Sequence, residues 1–392
     1  MPTDLLADLA RQVRQRAHPD DTRCDACAAS TLADRPDATV VRHAGTVAKA
    51  HAPHTDPAGL APRLAVAARL PDVLLAPLAA APLTLHGRPV TFWPYGAPVD
   101  PGDPDAAPWE AAATLLARLH RTPAPPGLPA MRGPAKAADA ITRLRAALNA
   151  APAEARIPSP SAEVTGAGIP PLAAEGTGAG IPPLSAEATG VGTPTLPSQG
   201  AGARTPTLPS QATGARTPTL PDDRTGIPPL LAEATPVLRA WAALPAWARA
   251  EAPMPGPLVL CHGDLHLGQL VRHPAPDGAW RLIDVDDLGA GVPAWDLARP
   301  AAWYACGLLP PQEYSRFLDA YRAAGGPAVP ATGDPWPALD VPARALTVQT
   351  AARALVKADA AGRPLDEVER AVVDACARMD GAPAQTAAQV TP

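Results

Sequence analysis

The stretch LVLCHGDLHLGQLVRHPAPDGAWRLIDVDD, residues 258–287, carries the most informative pattern in the chain. Three short apolar runs, at 258–261, 270–273 and 280–283, are separated by polar segments that contain glycine. Such runs predict strands, and the Asp-Gly pair between the second and the third predicts a hairpin turn. The segment therefore predicts a strand, a polar loop and a β-hairpin, in that order.

An antiparallel hairpin places the residue before its first strand beside the residue that follows its second. We therefore expect Gln269 and Asp284 to meet at one end of the hairpin, with Asp264 within reach on the polar loop. Carboxylate and amide oxygens suit Mg²⁺, and the remaining carboxylate can orient a hydroxyl group. This combination is typical of a site for phosphoryl transfer. The alternative is that the HGD and DVDD segments are a turn and a solvated charge cluster.

Three blocks follow one another here: HGDLHLGQ at 262–269, LIDVDD at 282–287 and GVPAWDLA at 291–298. Together they resemble the kinase-like superfamily of aminoglycoside phosphotransferases and choline kinases. The resemblance implies an α+β, two-lobed protein-kinase-like fold with a small β-rich N-lobe and a larger helical C-lobe. It also implies that ATP and Mg²⁺ are the cofactors.

The same resemblance assigns roles to individual residues. It makes Asp264 the catalytic base, Gln269 and Asp284 the metal ligands, and Asp296 a structural anchor behind the loop. Most members carry Asn where this chain has Gln269, although some sugar-kinase relatives share HLGQ. The supporting residues are His262, Gly263 and His266, which would shape the loop, and Asp286 and Asp287, which would hold a second metal ion or a cationic acceptor.

Residues 39–50, TVVRHAGTVAKA, have the pattern of two short strands joined by a turn. By the resemblance, this hairpin covers the nucleotide and Lys49 reaches the α- and β-phosphates, whereas the alternative is an edge-strand lysine kept for solubility. Phe92, Trp93 and Tyr95 would form the hinge between the lobes, where backbone groups hold adenine. Ordinary core packing is the alternative for these aromatic residues.

The expected partner of Lys49 is missing from the sequence. Protein kinases pair this lysine with a glutamate on the next helix, but no Glu occurs between Lys49 and Val90. The helix predicted for 57–70 offers only Asp56 at its start, where an N-cap role is the common use. Either Asp56 replaces the glutamate or Lys49 acts unpaired, and the sequence leaves both possibilities open.

Five consecutive copies of a 12-residue unit, from SAEVTGAGIPPL to PSQATGARTPTL, occupy residues 161–220. Each copy carries Gly and Pro at positions that break both helices and β-ladders, and none has an apolar face to bury. We expect a disordered or polyproline-like insertion. A β-solenoid is the alternative, but the internal prolines would remove ladder donors in every coil.

The predicted organisation follows from these patterns. It comprises an N-terminal helical extension at 1–38, a nucleotide-binding N-lobe at 39–96, the first part of the C-lobe at 97–160, the repeat insertion at 161–227, the C-lobe with the catalytic and metal motifs at 228–379, and a tail at 380–392.

Composition excludes several classes of protein. A net charge of −5 over 392 residues leaves no basic footprint for nucleic acid or an anionic membrane. No uncharged apolar run approaches 18 residues, so we expect a cytoplasmic protein, as a monomer or weak dimer. Cys24 and Cys27 have metal-ligand spacing, but the sequence shows no second CxxC motif or Cys/His pair to complete a zinc site.

These patterns predict an ATP-dependent phosphotransferase that moves the γ-phosphate to a hydroxyl of a small molecule, which the resemblance leaves open among aminoglycoside-like compounds, amino alcohols and sugars. A scaffold that binds nucleotide without transferring phosphate is the first alternative, motivated by the missing Glu and by Gln269. A metal-dependent phosphoesterase is the second, but the sequence lacks the D-x-H upstream of the HGD block and the N-H pair downstream of it that this class would need.

Overall fold

A computed structural model describes residues 5–19, 27–100, 102–103, 106–150 and 229–379. These residues all fall within one unit formed by Met1–Ala155 and Ile227–Pro392. The predicted repeat insertion and the predicted tail lie outside the described residues.

The N-terminal lobe is built on a five-stranded antiparallel sheet in the order β1-β2-β3-β5-β4. Its elements are α1 (Leu5–Ala17), β1 (Ser30–Arg35), β2 (Ala38–His43), β3 (Thr46–Ala50), α2 (Pro57–Arg69), β4 (Leu83–Leu85) and β5 (Arg88–Pro94). Helix α1 and strand β1 belong to this lobe, although the sequence places them in a separate extension. The pairing of β1 with β2 and the packing of α1 against the sheet account for their position.

Side chains of β2, β3 and β5 alternate between the two faces of this sheet, as the period of two in a strand requires. Val41, Ala48 and Phe92 point to one face and pack against Leu9 and Val13 of α1. The opposite face carries the neighbouring residues of each strand and looks toward the rest of the molecule. One face of the sheet therefore packs against α1 to form the N-lobe core, and the other face lines a cleft.

The C-terminal lobe is mainly helical. It contains β6 (Ala97–Pro98), α3 (Trp109–His120), α4 (Gly133–Ala150), α5 (Pro229–Ala242), α6 (Ala298–Ala305), α7 (Pro311–Ala323), α8 (Trp336–Ala360) and α9 (Glu367–Met379). Helix α8 is its central element, since α4, α5, α6 and α9 all pack on it. Leu116 and Leu144 are fully buried, and burial of a leucine side chain contributes about 1.5–3 kcal/mol.

The predicted strands of the 258–287 segment are present. Strand β7 spans Val259–Cys261, and β8 (Leu270–His273) pairs with β9 (Ala279–Leu282) in an antiparallel hairpin. Strand β6 adds to β8, while β7 pairs with a short strand absent from the sequence prediction, β10 (Gly289–Gly291).

The predicted α+β fold, with a small β-rich N-lobe and a larger helical C-lobe, is confirmed. None of the described helices is both long and apolar enough to cross a membrane.

Candidate active site

The loop after β7 is held by its own backbone amides. The amides of His262 and Gly263 donate hydrogen bonds of 2.6 and 2.7 Å to the carboxylate of Asp296. Gly263 has φ +87°, and a Cβ atom there would overlap the backbone carbonyl oxygen of Asp287. Glycine is therefore the residue that lets the chain turn here and present Asp264 to the cleft.

Asp296 is buried behind this loop. Its carboxylate lies 3.0 Å from Nε2 of His120, whose Nδ1 lies 2.7 Å from the hydroxyl of Tyr321. Burial alone would raise the pKa of Asp296, but the hydrogen bond and charge of His120 outweigh it and lower that pKa. The predicted anchoring position is thus where the structure places Asp296, and His120 is a second anchor that sequence analysis missed.

Asp264 lies between two cations that the sequence did not predict. Lys136 Nζ is 2.7 Å from its Oδ2, and Arg299 Nη2 is 2.9 Å from its Oδ1. Burial opposes ionisation of this carboxyl, but Lys136 and Arg299 prevail and hold its pKa below the usual value. Lysine occurs at only three positions in the chain, and this scarcity is the one signal in the sequence that could have drawn attention to Lys136.

Lys136 also holds Asp287, at 2.6 Å from Oδ2. Burial lowers the pKa of Lys136, but the charges of Asp287 and Asp264 reverse the shift, so the ammonium remains charged. The pKa of Asp287 is raised, chiefly because its side chain is buried. Helix α4 therefore contributes a lysine that ties the catalytic loop to the DVDD segment.

Gln269 and Asp284 meet at the end of the β8–β9 hairpin, as the register predicted. The amide of Ile283 donates to the carbonyl of Gln269 at 2.9 Å, and Gln269 Nε2 lies 3.4 Å from Asp284 Oδ2. Asp284 has φ +66°, a left-handed conformation that is uncommon for a residue with a side chain. To share a cation with Asp284, the Gln269 amide must rotate so that its oxygen faces the carboxylate.

Lys49 reaches this pair from β3. Its Nζ lies 2.7 Å from Asp284 Oδ1 and 3.0 Å from Asp286 Oδ2. Burial lowers the pKa of Lys49, but both carboxylates raise it to a net value above the usual range.

Asp56 instead caps α2 by accepting from the amides of Ala58 and Gly59, each at 3.0 Å. Asp284 and Asp286 are thus the carboxylates beside Lys49, and the N-cap interpretation of Asp56 is the one seen.

Asp286 has a second partner, His51 Nδ1, at 2.9 Å. His51 is buried, and its Nε2 lies 2.8 Å from the Thr91 hydroxyl, which also accepts from Trp93 Nε1. Burial acts to raise the pKa of Asp286, but Lys49 and His51 together lower it by more than burial raises it. This carboxyl is therefore ionised. Sequence analysis missed His51 because its contact with the DVDD segment joins residues 235 positions apart and depends on how the N-lobe packs on that segment.

A cavity of about 470 Å³ lies between the sheet and the β8–β9 hairpin. Trp93 and Tyr95 line it, together with apolar side chains such as Val40, Val47 and Ile283. Phe92 does not line it, because the strand alternation turns its side chain toward α1. Of the three predicted hinge residues, Trp93 and Tyr95 therefore contribute side chains to the cavity, and Phe92 does not.

The two loop histidines have different surroundings. His262 Nε2 donates to the carbonyl of Ile283 at 2.8 Å, which ties the catalytic loop to the end of β9. His266 lines the cleft near Asp264, and burial followed by the charge of Arg299 lowers its pKa to about 4. His266 is therefore neutral near pH 7, and its ring can donate one hydrogen bond and accept one.

Part of the chain matches a known protein family. Residues 196–336 match the model of the phosphotransferase enzyme family. A search of curated proteins finds no match.

Three solved structures resemble the chain at low identity. A choline/ethanolamine kinase family protein from Mesorhizobium loti is 16% identical with a TM-score of 0.43, over 97% of this chain and 95% of its own. An ethanolamine kinase from Plasmodium vivax is 11% identical with a TM-score of 0.48, over 96% and 88%. A macrolide 2′-phosphotransferase from Brachybacterium faecium is 16% identical with a TM-score of 0.42, over 96% and 99%. Similarity at this level does not define an activity.

The matched residues 196–336 contain the HGD, LIDVDD and AWDLA blocks from which the resemblance was drawn. The match to the phosphotransferase enzyme family therefore covers the blocks that carry the resemblance, and it confirms that resemblance over residues 196–336.

Proposed function

We propose that the protein is an ATP-dependent phosphotransferase that moves the γ-phosphoryl group to a hydroxyl of a small molecule. The observation that carries this proposal is the convergence of Asp264, Asp284 and Lys49 on one cleft of about 910 Å³. A hydroxyl-positioning carboxylate, a hard-oxygen metal ligand and a phosphate-binding ammonium are the groups that phosphoryl transfer requires.

The residues at the end of the β8–β9 hairpin fit Mg²⁺. Asp284 and Gln269 offer a carboxylate and an amide oxygen from adjacent positions, and Asp286 lies 3.0 Å from the Lys49 ammonium beside them. Magnesium prefers oxygen ligands and retains several waters, so one or two protein ligands suffice. When bound, the ion would neutralise the phosphate oxygens and fix their position.

Asp264 would position the acceptor hydroxyl rather than act as a strong base. Lys136 and Arg299 keep it ionised and weakly basic. A loose transition state for phosphoryl transfer needs little nucleophile deprotonation at the outset, so orientation contributes more than basicity. The two cations also fix the direction of the carboxylate, which keeps one geometry available to the hydroxyl.

The charges around the cleft favour a neutral or anionic acceptor over a polycation. Asp264 and Asp287 are already neutralised by Lys136 and Arg299. A polycationic aminoglycoside would meet further guanidinium groups on the outer wall, and like charges across a binding surface are unfavourable. Asp139 lies 3.9 Å from one of these groups, that of Arg132. The exposed arginines that line that wall are Arg132, Arg143 and Arg353.

An acceptor screen tests this proposal. The purified full chain is incubated with Mg²⁺ and ATP, and ADP release and product mass are measured for sugars, sugar acids, amino alcohols and an aminoglycoside. We expect phosphorylated product from the neutral or anionic hydroxyl compounds and little from the aminoglycoside. Nucleotide binding without any transfer would support the scaffold alternative, and release of phosphate from phosphate esters would support the phosphoesterase.

A further inference from the structure

A second cluster of metal-ligand side chains lies on the α1 face of the N-lobe sheet. It consists of His18, which follows the last residue of α1, Cys27, which precedes β1, and His43, the last residue of β2. His43 shares a sheet face with Val41, which packs against α1, whereas Val40 lines the cavity on the other face. The cluster is therefore separated from the phosphotransferase cleft by the sheet.

The three side chains are close enough to bind one ion. His18 Nε2 lies 3.2 Å from Cys27 Sγ, and the rings of His18 and His43 meet edge to face at 5.2 Å. One donor atom from each of the three residues lies within 4.8 Å of the others. Ligand atoms of a tetrahedral zinc ion are about 3.3–3.6 Å apart from its bond lengths, so small side-chain movements would complete the arrangement.

His43 gives this cluster a reason to bind a ligand. Its side chain is fully buried, and neither ring nitrogen has a hydrogen-bond partner. Buried polar groups without partners are rare in folded proteins and normally mark a missing ion or water. Coordination through one nitrogen would give His43 the partner that the surrounding protein atoms do not supply.

We infer that His18, Cys27 and His43 bind a zinc ion. Imidazole and thiolate donors select Zn²⁺ over Mg²⁺ and Ca²⁺, which prefer oxygen. The sequence alone showed no pair of residues that would complete a metal site with Cys27. The fold brings two histidines to it from other positions in the chain. Cys24 lies outside the described residues, so the site has three ligands from the described chain and a fourth position for water or another donor.

The charge of α1 opposes a bound cation, and the thiolate compensates for it. Arg14 is close enough to His43 to lower the pKa of that imidazole, after the larger effect of burial and the effect of His18. A Cys27 thiolate bound to the ion would offset one positive charge. The site would fasten the end of α1 to the edge of β2 and so stabilise the N-lobe.

Metal binding by the full chain tests this inference. The chelator-treated protein is titrated with Zn²⁺ against a chromophoric competitor, and with Co²⁺, which shows a charge-transfer band when a thiolate binds it. We expect tight binding and this band in wild type, no band in Cys27→Ser, and at least tenfold weaker zinc binding in both Cys27→Ser and His18→Ala. Cys306→Ser, which alters a cysteine of the C-lobe, should retain both properties.

Folding is checked separately, so that a misfolded variant is not mistaken for loss of a ligand. Both variants replace partly exposed residues, and their circular dichroism should match that of wild type. Zinc should raise the melting temperature of wild type and leave that of Cys27→Ser unchanged. Wild-type protein that shows no thiolate band with Co²⁺, or folded Cys27→Ser that binds zinc as tightly as wild type, would overturn the inference.

Discussion

Asp264 is the residue on which the proposed reaction depends most directly. Replacing it with Ala removes the group that orients the acceptor hydroxyl, and a positioned carboxylate of this kind contributes about 10²–10⁴-fold to a rate. We expect Asp264→Ala to lose transfer by at least that factor while Mg²⁺ and ATP still bind, as measured by product formation and by calorimetry. Asp319→Ala, on the exposed face of α7, is the matched control and should behave as wild type. Normal turnover in Asp264→Ala would refute the assignment.

The metal-ligand pair makes a graded prediction. Asp284→Asn removes the charged ligand, so we expect a large loss of Mg²⁺-dependent nucleotide binding. Gln269→Asn keeps an amide oxygen and shortens the side chain by one methylene, so measurable activity should remain. A Mg²⁺ titration of nucleotide binding and turnover compares the two variants. Equal Mg²⁺ dependence of Asp284→Asn and wild type would show that the ion binds elsewhere.

Lys136 makes a prediction about pH. Burial acts to raise the pKa of Asp264, and two cations lower it. Lys136 has the larger effect of the two. Lys136→Met removes both the charge and the hydrogen bond of Lys136 and leaves Arg299 in place, so the pKa of Asp264 should rise. Because the proposed reaction uses the ionised carboxylate, the acid-side loss of turnover should move to higher pH. Lys136→Arg retains the charge and should keep the acid limb near its wild-type position, and an unshifted limb in Lys136→Met would mean that Asp264 does not titrate in that profile.

At the scale of elements, Asp56 has two candidate roles, as the N-cap of helix α2 or as a partner of Lys49, and a substitution can distinguish them. The side chain caps the helix, and loss of an N-cap costs about 0.5–2 kcal/mol. We expect Asp56→Ala to lower the free energy of unfolding by that amount, measured with urea, while leaving nucleotide binding close to wild type. A large loss of ATP affinity at unchanged stability would instead mean that Asp56 supports Lys49 during binding.

Sequence was a good guide to elements whose signals are local. The strand 270–273 matches the structure at both ends, and the helix predicted for 57–70 ends within one residue of α2, because apolar runs and helix-start signals are visible in the residues themselves. The register that joins Gln269 to Asp284 was predictable for the same reason. Strand β10 is a Gly-Ala-Gly run without a hydrophobic pattern, and only pairing with β7 makes it a strand.

Contacts between distant elements were not predictable in this way. His51 and Asp286 are 235 positions apart, and so are Lys49 and Asp284. Lys136 reaches Asp264 from a helix whose own pattern shows only an amphipathic face. Partners of this kind depend on how the lobes pack, and composition or spacing along one segment does not specify that packing.

At the scale of the whole molecule, the repeats predict tolerance to shortening. Their Gly and Pro content leaves no face to bury, and the flanking helices α4 and α5 are anchored in one core through Leu144 and Val237. Loop-closure entropy grows only with the logarithm of length, so shortening the span should change stability by about 1 kcal/mol or less. A chain with residues 161–220 replaced by a short Gly/Ser linker should keep its melting temperature and its turnover. Loss of folding on replacement would favour the β-solenoid alternative.

The position of Lys49 has a consequence for the order in which ligands arrive. Its ammonium serves as an internal counter-ion for Asp284 and Asp286. A divalent ion bound to Asp284 would weaken the attraction between that carboxylate and the ammonium, because two cations would then share its negative charge. The ammonium would become more available to a phosphate group of the nucleotide. Metal and nucleotide would thus favour each other's binding by the same factor, as thermodynamic reciprocity requires. In the proposed reaction, one lysine therefore makes the cleft respond to the metal–nucleotide complex more than to either component alone.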